Sequence, residues 1–152
     1  MAGRGNPLFS HPDNIEFAGD YWLPSIVIHN HEGEGFNSNE RGVDIKALVQ
    51  EFNLYESIYK TAMTGSVVVV DTINLIGRLP IQGTERISFK LTTPGTTDGM
   101  IDCSERSGHP MHIYKLTDKQ QVSEGTQIYT LHFCSREFLR NLRTKVSQSY
   151  SG

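Results

Sequence analysis

The chain has 152 residues, of which 37% are apolar and 20% charged, and its formal net charge is −3. This length suits one domain with its own core rather than two, and the composition does not indicate disorder for the body of the chain. The negative charge argues against a protein whose main task is to bind nucleic-acid phosphates. Two cysteines, Cys103 and Cys134, make neither a disulfide framework nor a metal knuckle, and we expect both to be reduced.

The beginning of the chain differs in composition from the rest. Residues 1–20 combine Gly, Pro, Asn and His with scattered apolar side chains, which predicts an extended arm that becomes ordered only against another surface. They contain no apolar h-region of a secretory signal, and nowhere does the chain approach the roughly eighteen consecutive apolar residues of a membrane helix. We therefore expect an arm over residues 1–20, one domain over residues 21–152, and assembly in the cytosol.

Strand-like sequence begins at residues 22–29, WLPSIVIH, where Pro24 favours a strand start or an edge. A long polar loop rich in Gly and Asn follows over residues 29–42. Apolar residues then alternate over residues 43–60 with a shift of phase, which predicts one long strand with a β-bulge near Gln50 and Glu51. A helix over the same residues is the alternative, but the Tyr, Ile and Phe of the second half favour a strand.

The most apolar stretch is the run of four valines over residues 66–71. Thr64 and Gly65 predict the turn before it, and a valine run without alternation predicts a strand covered on both faces. Asp71 then begins a single helical turn, which its carboxylate can cap through the N–H groups of residues 72–74 and which Gly77 closes.

Two further strand regions follow. After a corner at residues 80–83 we expect a third strand over residues 86–92 and a loop over residues 92–99. A hairpin is predicted from residues 111–117 and 126–134, joined by the polar loop DKQQVSEG.

The end of the chain predicts an amphipathic helix capped by Ser135. Its apolar stripe is Phe138, Leu139, Leu142 and Val146, and its cationic side is Arg136, Arg140, Arg143 and Lys145. We expect the apolar stripe to be packed and the cationic side to face water or an acidic neighbour. A cationic helix beside an acidic body also suggests contacts between subunits.

Catalytic chemistry has little support in the sequence. His29, His31, Glu32 and Glu34 lie close together and would be the ligands of a metal site, but a solvated loop without a rigid second shell is the favoured interpretation. The same holds for His109 and His112, which flank a loop-to-strand junction. No Ser, Cys and His arrangement or phosphate-binding glycine motif is present, and Asp71 is better placed to cap a turn than to act as a base.

The segment over residues 43–95, VDIKALVQEFNLYESIYKTAMTGSVVVVDTINLIGRLPIQGTERISFKLTTPG, resembles the N-terminal part of the central baseplate hub proteins of contractile-tailed bacteriophages of the T4-like kind. The shared pattern is a long strand ending in an acidic-aromatic LYES turn, a Thr-Gly hairpin, an apolar strand closing in Asp, and an Asn-Leu-Ile turn before LPIQGTERI. The final segment, YTLHFCSREFLRNLRTKVSQSYSG, is similar to the family's strand and following helix. The match rests on the order and spacing of these elements.

This resemblance implies a mainly β fold, a tail-tube-like antiparallel β-barrel or sandwich with one flanking C-terminal α-helix. In the family such domains form a ring that joins the tail tube protein above to the central spike protein below, among other baseplate proteins. The resemblance therefore implies a structural virion protein of the phage tail baseplate, assembled in the host cytoplasm, with no enzymatic activity, cofactor, metal, membrane or specific nucleic-acid partner.

Family hubs are longer and carry two tube-like domains per chain, so that three chains give a pseudo-sixfold ring. This chain has room for one such domain, and either it is an N-terminal portion or another chain supplies the remaining strands. A trimer is favoured and a hexamer is the alternative. The subunit-interface candidates are Tyr55, Glu56, Asp71, Asn74, Arg78, Gln82, Arg140 and Arg143.

Two other functions remain open at this point. A tail tube initiator or terminator of the same assembly would share the fold and occupy a different level of the tail. From another class, a small metal-dependent hydrolase would use the histidines and glutamates of residues 29–34.

Overall fold

The computed structural model describes residues 21–35, 42–79, 81–95 and 100–145. Within these ranges the chain is mainly β, with eight antiparallel strands in one hydrogen-bonded sheet and a helix after the last strand. The predicted fold class, an antiparallel β fold with one C-terminal helix, is confirmed. The predicted arm over residues 1–20 lies outside the described residues.

The strands follow the order β2-β1-β5-β7-β8-β4-β3 across the sheet, and the short β6 pairs with β5 beside this path. Their bounds are β1 Ile26–His29, β2 Val43–Asp44, β3 Val49–Tyr55, β4 Thr64–Asp71, β5 Arg86–Leu91, β6 Ile101–Cys103, β7 Met111–Ser123 and β8 Thr126–Cys134. The helices are the single turn α1, Leu75–Arg78, and the two-turn α2, Arg136–Arg143.

The sheet is strongly curled. Its two end strands, β2 and β3, are joined only by residues 45–48, a connection that spans at most about 18 Å when fully extended. The ring of Phe52 on β3 accordingly reaches Phe89 on β5 and Phe133 on β8, with centroid distances of 4.9 and 5.8 Å. Within the described residues β2 and β3 do not pair. The curled sheet is therefore open and sandwich-like rather than a closed barrel.

The valine strand β4 is buried on one face only. Val67 and Val69 are completely buried in the core, whereas Val68 and Val70 on the opposite face stay partly exposed. The prediction that both faces are covered is therefore wrong. The inner face packs against the rest of the curled sheet, and the β-branched side chains of the partly exposed outer face still suit the pleated surface.

The predicted long strand over residues 43–60 is interrupted. Between β2 and β3 the chain makes a 3-10 turn at Lys46–Leu48, because the Asp44 side chain accepts the N–H of Lys46 at 2.9 Å and Ile45 is drawn into the core. The helix alternative is wrong beyond this turn, and β3 ends at Tyr55. The predicted β-bulge is confirmed by a shift of register between Val49 and Glu51.

Thr64 and Gly65 are strand residues, not the predicted turn. They open β4, where Gly65 pairs with Leu54 on one side and Phe133 on the other, and the connection from β3 runs over residues 56–63. A Cβ atom at Gly65 would lie 2.4 Å from the Phe133 ring. The glycine is required by the close approach of this ring and not by a turn.

The hairpin of β7 and β8 is longer than predicted. β7 continues through the polar stretch to Ser123, and the two strands are joined by a tight turn in which Gly125 has a φ of +79°. Three shifts of register along β7 absorb the polar residues. The expected polar loop is therefore an exposed extension of the sheet, which local composition did not indicate.

The other predicted strands are close to those observed. β1 begins at Ile26, later than expected, while Trp22 forms an isolated bridge with Thr92. β5 ends at Leu91, one residue earlier than expected. Pro80, within the predicted corner, and residues 96–99 of the predicted loop lie outside the described residues.

Candidate functional site

The corner that follows the valine strand is held by a buried carboxylate. Asp71 is only 1% exposed, and it accepts the backbone N–H groups of Ile73, Leu75 and Ile76 at 3.2, 2.8 and 3.4 Å. The hydroxyl of Tyr129 also donates to it at 3.3 Å, and burial together with this carboxylate raises the pKa of Tyr129. The predicted capping role is confirmed, but two of the three donors lie beyond the predicted residues 72–74. Closure by Gly77 is wrong, because α1 continues to Arg78.

A second buried carboxylate holds the far end of the same corner. Glu85 accepts the N–H groups of Gln82, Gly83 and Thr84 at 2.7, 2.8 and 3.1 Å. In the sequence, the Gly-Thr-Glu spacing is the one signal that could have indicated this role of Glu85. Two carboxylates therefore fix the backbone of the corner at both ends.

Three of the interface candidates lie on the surface of this rigid corner. Asn74, Arg78 and Gln82 are exposed, and Asn74 adopts a left-handed conformation with a φ of +57°. Asp71 is different, because its side chain is buried and supports the corner from within. Its assignment as an interface residue stays a prediction.

The connection between β3 and β4 carries an exposed apolar pair. Ile58 is 93% exposed and Tyr59 is 91% exposed, at a turn closed by the N–H of Lys60 donating to the Ser57 carbonyl at 3.1 Å. The interface candidates Tyr55 and Glu56, also exposed, lie at the start of this connection. We call residues 55–60 the apolar loop.

Helix α2 begins after Ser135 as predicted, but the Ser135 side chain makes no capping hydrogen bond to it. The apolar stripe of the helix is not packed either. None of its residues is buried, and Leu142 is 69% exposed. The ring of Phe138 lies against the ring of Tyr114 at a centroid distance of 5.8 Å, and Val146 lies outside the described residues. The interface candidates Arg140 and Arg143 are exposed on this helix. The expectation of a helix packed by its whole stripe is therefore wrong.

A cleft of about 900 Å³ lies between the β3–β4 connection, the β6–β7 connection and the beginning of α2. Arg86 and His112 line it from neighbouring strands, and charged residues of both signs surround them: Lys60, Arg136, Arg140, Glu105 and Glu137. Arg86 and Glu105 form an ion pair at 3.0 Å, which attaches the β6–β7 connection to the sheet. The walls of this cleft come from three separate segments of the chain, so no local sequence pattern indicates it.

Two histidines near this cleft, His29 and His112, have lowered pKa values. Burial lowers the pKa of His29, Glu105 partly offsets this effect and Arg86 adds to it. Burial and then Arg86 also lower the pKa of His112. Both ring nitrogens of His29 lack a hydrogen-bond partner among the described groups. Protonation of either ring would place a second cation beside the Arg86 guanidinium.

The residues proposed for a metal site are not brought together. His29 is buried in the sheet, while His31 is exposed and lies 3.7 Å from Glu32. Across the described ranges, no group of three or more His, Cys, Asp or Glu side chains has a geometry that could hold a metal ion. His109 and His112 both line the cleft, but they do not form such a group.

Both cysteines are free and buried, one at the end of β6 and one at the end of β8. Burial raises the pKa of Cys103, with a further contribution from Asp102, and burial alone raises that of Cys134, in each case to about 11. The two thiols are therefore protonated at neutral pH and are poor nucleophiles.

Comparison of the chain with protein-family models, with curated proteins and with solved structures found no match. In the described part of the chain, no helix has both the length and the apolar character needed to cross a membrane.

Proposed function

We propose that the chain is a structural protein of a contractile phage tail, a baseplate hub whose copies form a ring between the tail tube and the central spike. The observation that carries this proposal is a curled antiparallel sheet with two long free edges. The resemblance of residues 43–95 to hub proteins supplies the identity of the assembly, and the geometry supports self-association.

The first free edge is β3. Within the described residues it pairs only with β4, so the other side of Val49–Tyr55 has no strand partner. Strand edges with free N–H and C=O groups are templates for pairing with another chain. A neighbouring copy at this edge would extend the sheet from one subunit to the next.

The second free edge is the outer part of β7. In the described structure β5 pairs with β7 only at Met111 and His112, so residues 114–123 are paired on the β8 side alone. The two edges belong to different strands, and a contact between them is therefore head-to-tail. Head-to-tail contacts close into rings when the rotation between copies permits.

The exposed elements around the sheet also favour an assembly. The rigid corner presents Asn74, Arg78 and Gln82, and α2 presents an unpacked apolar stripe together with Arg140 and Arg143. An amphipathic helix normally buries its apolar stripe against another surface. For α2 we propose that this surface belongs to a neighbouring subunit. These residues are the interface that we propose, with Tyr55 and Glu56 at the end of β3.

Electron micrographs of the purified full chain at high concentration test the proposal. We expect rings, of three copies or of six, and native mass spectrometry gives their number. Arg140→Glu should reduce ring formation, whereas Arg106→Glu, an equal change of charge on the exposed β6–β7 connection, should not. Compact monomers at every concentration would contradict the proposal.

The tail tube initiator or terminator remains the closest alternative, because it would use the same edges. Crosslinking to the spike protein separates the two roles, since only a hub contacts the spike. For the metal-dependent hydrolase, elemental analysis that found stoichiometric zinc or manganese would be required, and the described residues offer no ligand group for it.

A further inference from the structure

Three polar residues form a row across neighbouring strands on the outer face of the sheet. His29 on β1 pairs directly with Arg86 on β5, and Arg86 pairs directly with His112 on β7. Directly paired residues of an antiparallel sheet lie on the same face, with Cβ atoms about 4.5–5.5 Å apart. The next row along these strands belongs to the hydrophobic core, so the polar row lies on the face opposite the core.

One ion pair joins this row to the connection between β6 and β7, residues 104–110. The Arg86 guanidinium donates to Glu105 at 3.0 Å, and each of the two side chains is 27% exposed. The β1–β2 connection packs against the same pair, since a Cβ atom at Gly33 would lie 2.7 Å from Arg86 Nη1 and from Glu105 Oε2. Residues 104–110 also contribute a wall of the large cleft. The ion pair therefore holds this wall against the sheet.

The polar atoms around the ion pair are buried without full hydrogen bonding. His29 is 8% exposed, and neither of its ring nitrogens has a hydrogen-bond partner among the described groups. Within the same described part of the chain, Arg86 Nε and Glu105 Oε1 are also buried without a partner. Burial disfavours the charged form of a histidine, and a neighbouring guanidinium disfavours it further. A proton added to this row therefore has a poor environment as long as the wall stays in place.

Few charged groups face the two histidines. His29 faces Arg86 on β5 and Glu105 on the β6–β7 connection. The carboxylate of Asp44, on the neighbouring β2, accepts backbone N–H groups instead. The groups that face His112 from β5, the β6–β7 connection, β8 and α2 are Arg86, Glu105, Cys134, Arg136 and Glu137. The Cys134 thiol is protonated at neutral pH, and the two α2 residues carry opposite charges, so the Arg86–Glu105 pair dominates around both rings.

We propose that this row is a proton-controlled gate for one wall of the cleft. Protonation of the two histidines weakens the Arg86–Glu105 ion pair and releases residues 104–110 from the sheet. The physical reason is that one carboxylate then faces three neighbouring cations, which repel one another across the strands. Once the wall has moved away, water reaches the rings and stabilises their charged forms. The gate works within a single copy of the chain and is independent of the proposed ring.

Proton linkage gives the expected size of the response. In the released form the rings have the ordinary histidine pKa of 6.5, and in the attached form burial and then Arg86 lower the pKa of both rings, with Glu105 partly offsetting this. The attached form is therefore fully favoured above pH 6.5, and the released form gains population as the pH falls below it. Between pH 7.5 and 5.5 this gain is up to about tenfold for each histidine.

A glutamate-specific protease tests the release, because Glu105 is itself the residue that the protease has to bind. Cleavage follows the population of the open form when opening and closing are faster than cleavage. The rate of cleavage after Glu105, divided by that of a free peptide of the same sequence, should rise between pH 7.5 and 5.5. Cleavage after Glu51 is measured in the same digest and should rise much less, since Glu51 lies within β3 and its cleavage requires unfolding of the sheet.

Histidine variants connect this response to the row. The double variant His29→Gln, His112→Gln should show no rise after Glu105. His112→Gln alone, at a partly exposed position, should reduce the rise by up to about tenfold, and it serves if the double variant does not fold. His31→Gln is the matched control, since His31 is exposed on the β1–β2 connection, and this variant should respond as the unchanged chain does.

Three results would overturn the inference. The first is an unchanged rate after Glu105 in the natural sequence between pH 7.5 and 5.5. The second is a rise that persists undiminished in both the double variant and His112→Gln. The third is an equal rise after Glu105 and Glu51, which would mean that acid unfolds the sheet as a whole and does not release its wall.

Discussion

Replacement of Asp71 by alanine should destabilise the protein strongly. The carboxylate is buried and accepts three backbone N–H groups and the Tyr129 hydroxyl. Alanine would leave all four donors without this acceptor, at a point where α1 and the exposed corner both depend on it. The substitution therefore tests whether the corner is held by this side chain.

The expected magnitude follows from these contacts. A hydrogen bond to a charged group contributes about 1.5–3 kcal/mol, and a buried donor without an acceptor costs about 1–3 kcal/mol. Only the bond to Leu75 is short, and relaxation of the corner towards water reduces the loss, so we expect about 3–5 kcal/mol for Asp71→Ala. Asp71→Asn retains one acceptor oxygen and should lose about 1–2 kcal/mol. Tyr129→Phe removes a single hydrogen bond and should lose about 1 kcal/mol.

Urea unfolding at low protein concentration measures these losses without a contribution from self-association. Trp22, the only tryptophan, is far along the chain from the corner and reports on the unfolding of the whole sheet. The double variant Asp71→Ala, Tyr129→Phe, compared with the two single variants, gives the coupling free energy between the two side chains. A loss below about 0.5 kcal/mol for Asp71→Ala, the usual range of a surface change, would refute the proposed role of the carboxylate.

Three further predictions use the same measurement. Val69→Asp should unfold the chain, since it places an unpaired charge in the core. Val68→Asp, on the outer face, should leave a folded protein that is less stable by about 1–2 kcal/mol. Equal effects of the two substitutions would contradict the one-sided burial of β4. Leu142→Ala should cost less than about 0.5 kcal/mol in the monomer, and a loss above about 2 kcal/mol would show that α2 is packed within its own subunit. Folding lowers the pKa values of His29 and His112, so the unfolded chain binds more protons, and the free energy of unfolding should be complete above pH 6.5 and fall below it. The double variant His29→Gln, His112→Gln should lose less stability between pH 7.5 and 5.5. An unchanged pH dependence would contradict this origin.

Much of the fold could be predicted from local pattern. β-branched and aromatic runs located the strands β4, β5 and β8, and the change of phase near Gln50 located the bulge. The position of Asp71 directly before a turn indicated its cap, and the stripe after Ser135 located α2. Each of these features is determined by residues close together in the sequence, so a local pattern is enough to predict it.

Features that depend on the far side of the sheet could not be predicted. Four valines are alike in sequence, but only Val67 and Val69 belong to the buried cluster that also contains Phe89 and Phe133. Gly65 is a residue type typical of turns, but here a glycine is required because the Phe133 ring leaves no room for a Cβ atom. The polar end of β7 forms a strand because β8 pairs with it, against its local preference.

The candidate sites follow the same division. From the sequence alone came the antiparallel β class, the capped corner after Asp71, the position of the final helix and the apolar residues of the LYES segment. The tertiary structure decided how the sheet curls, where it stays open and which side chains remain exposed. Strand order and register bring Phe52 on β3 against Phe89 on β5, and no local run of residues contains that information.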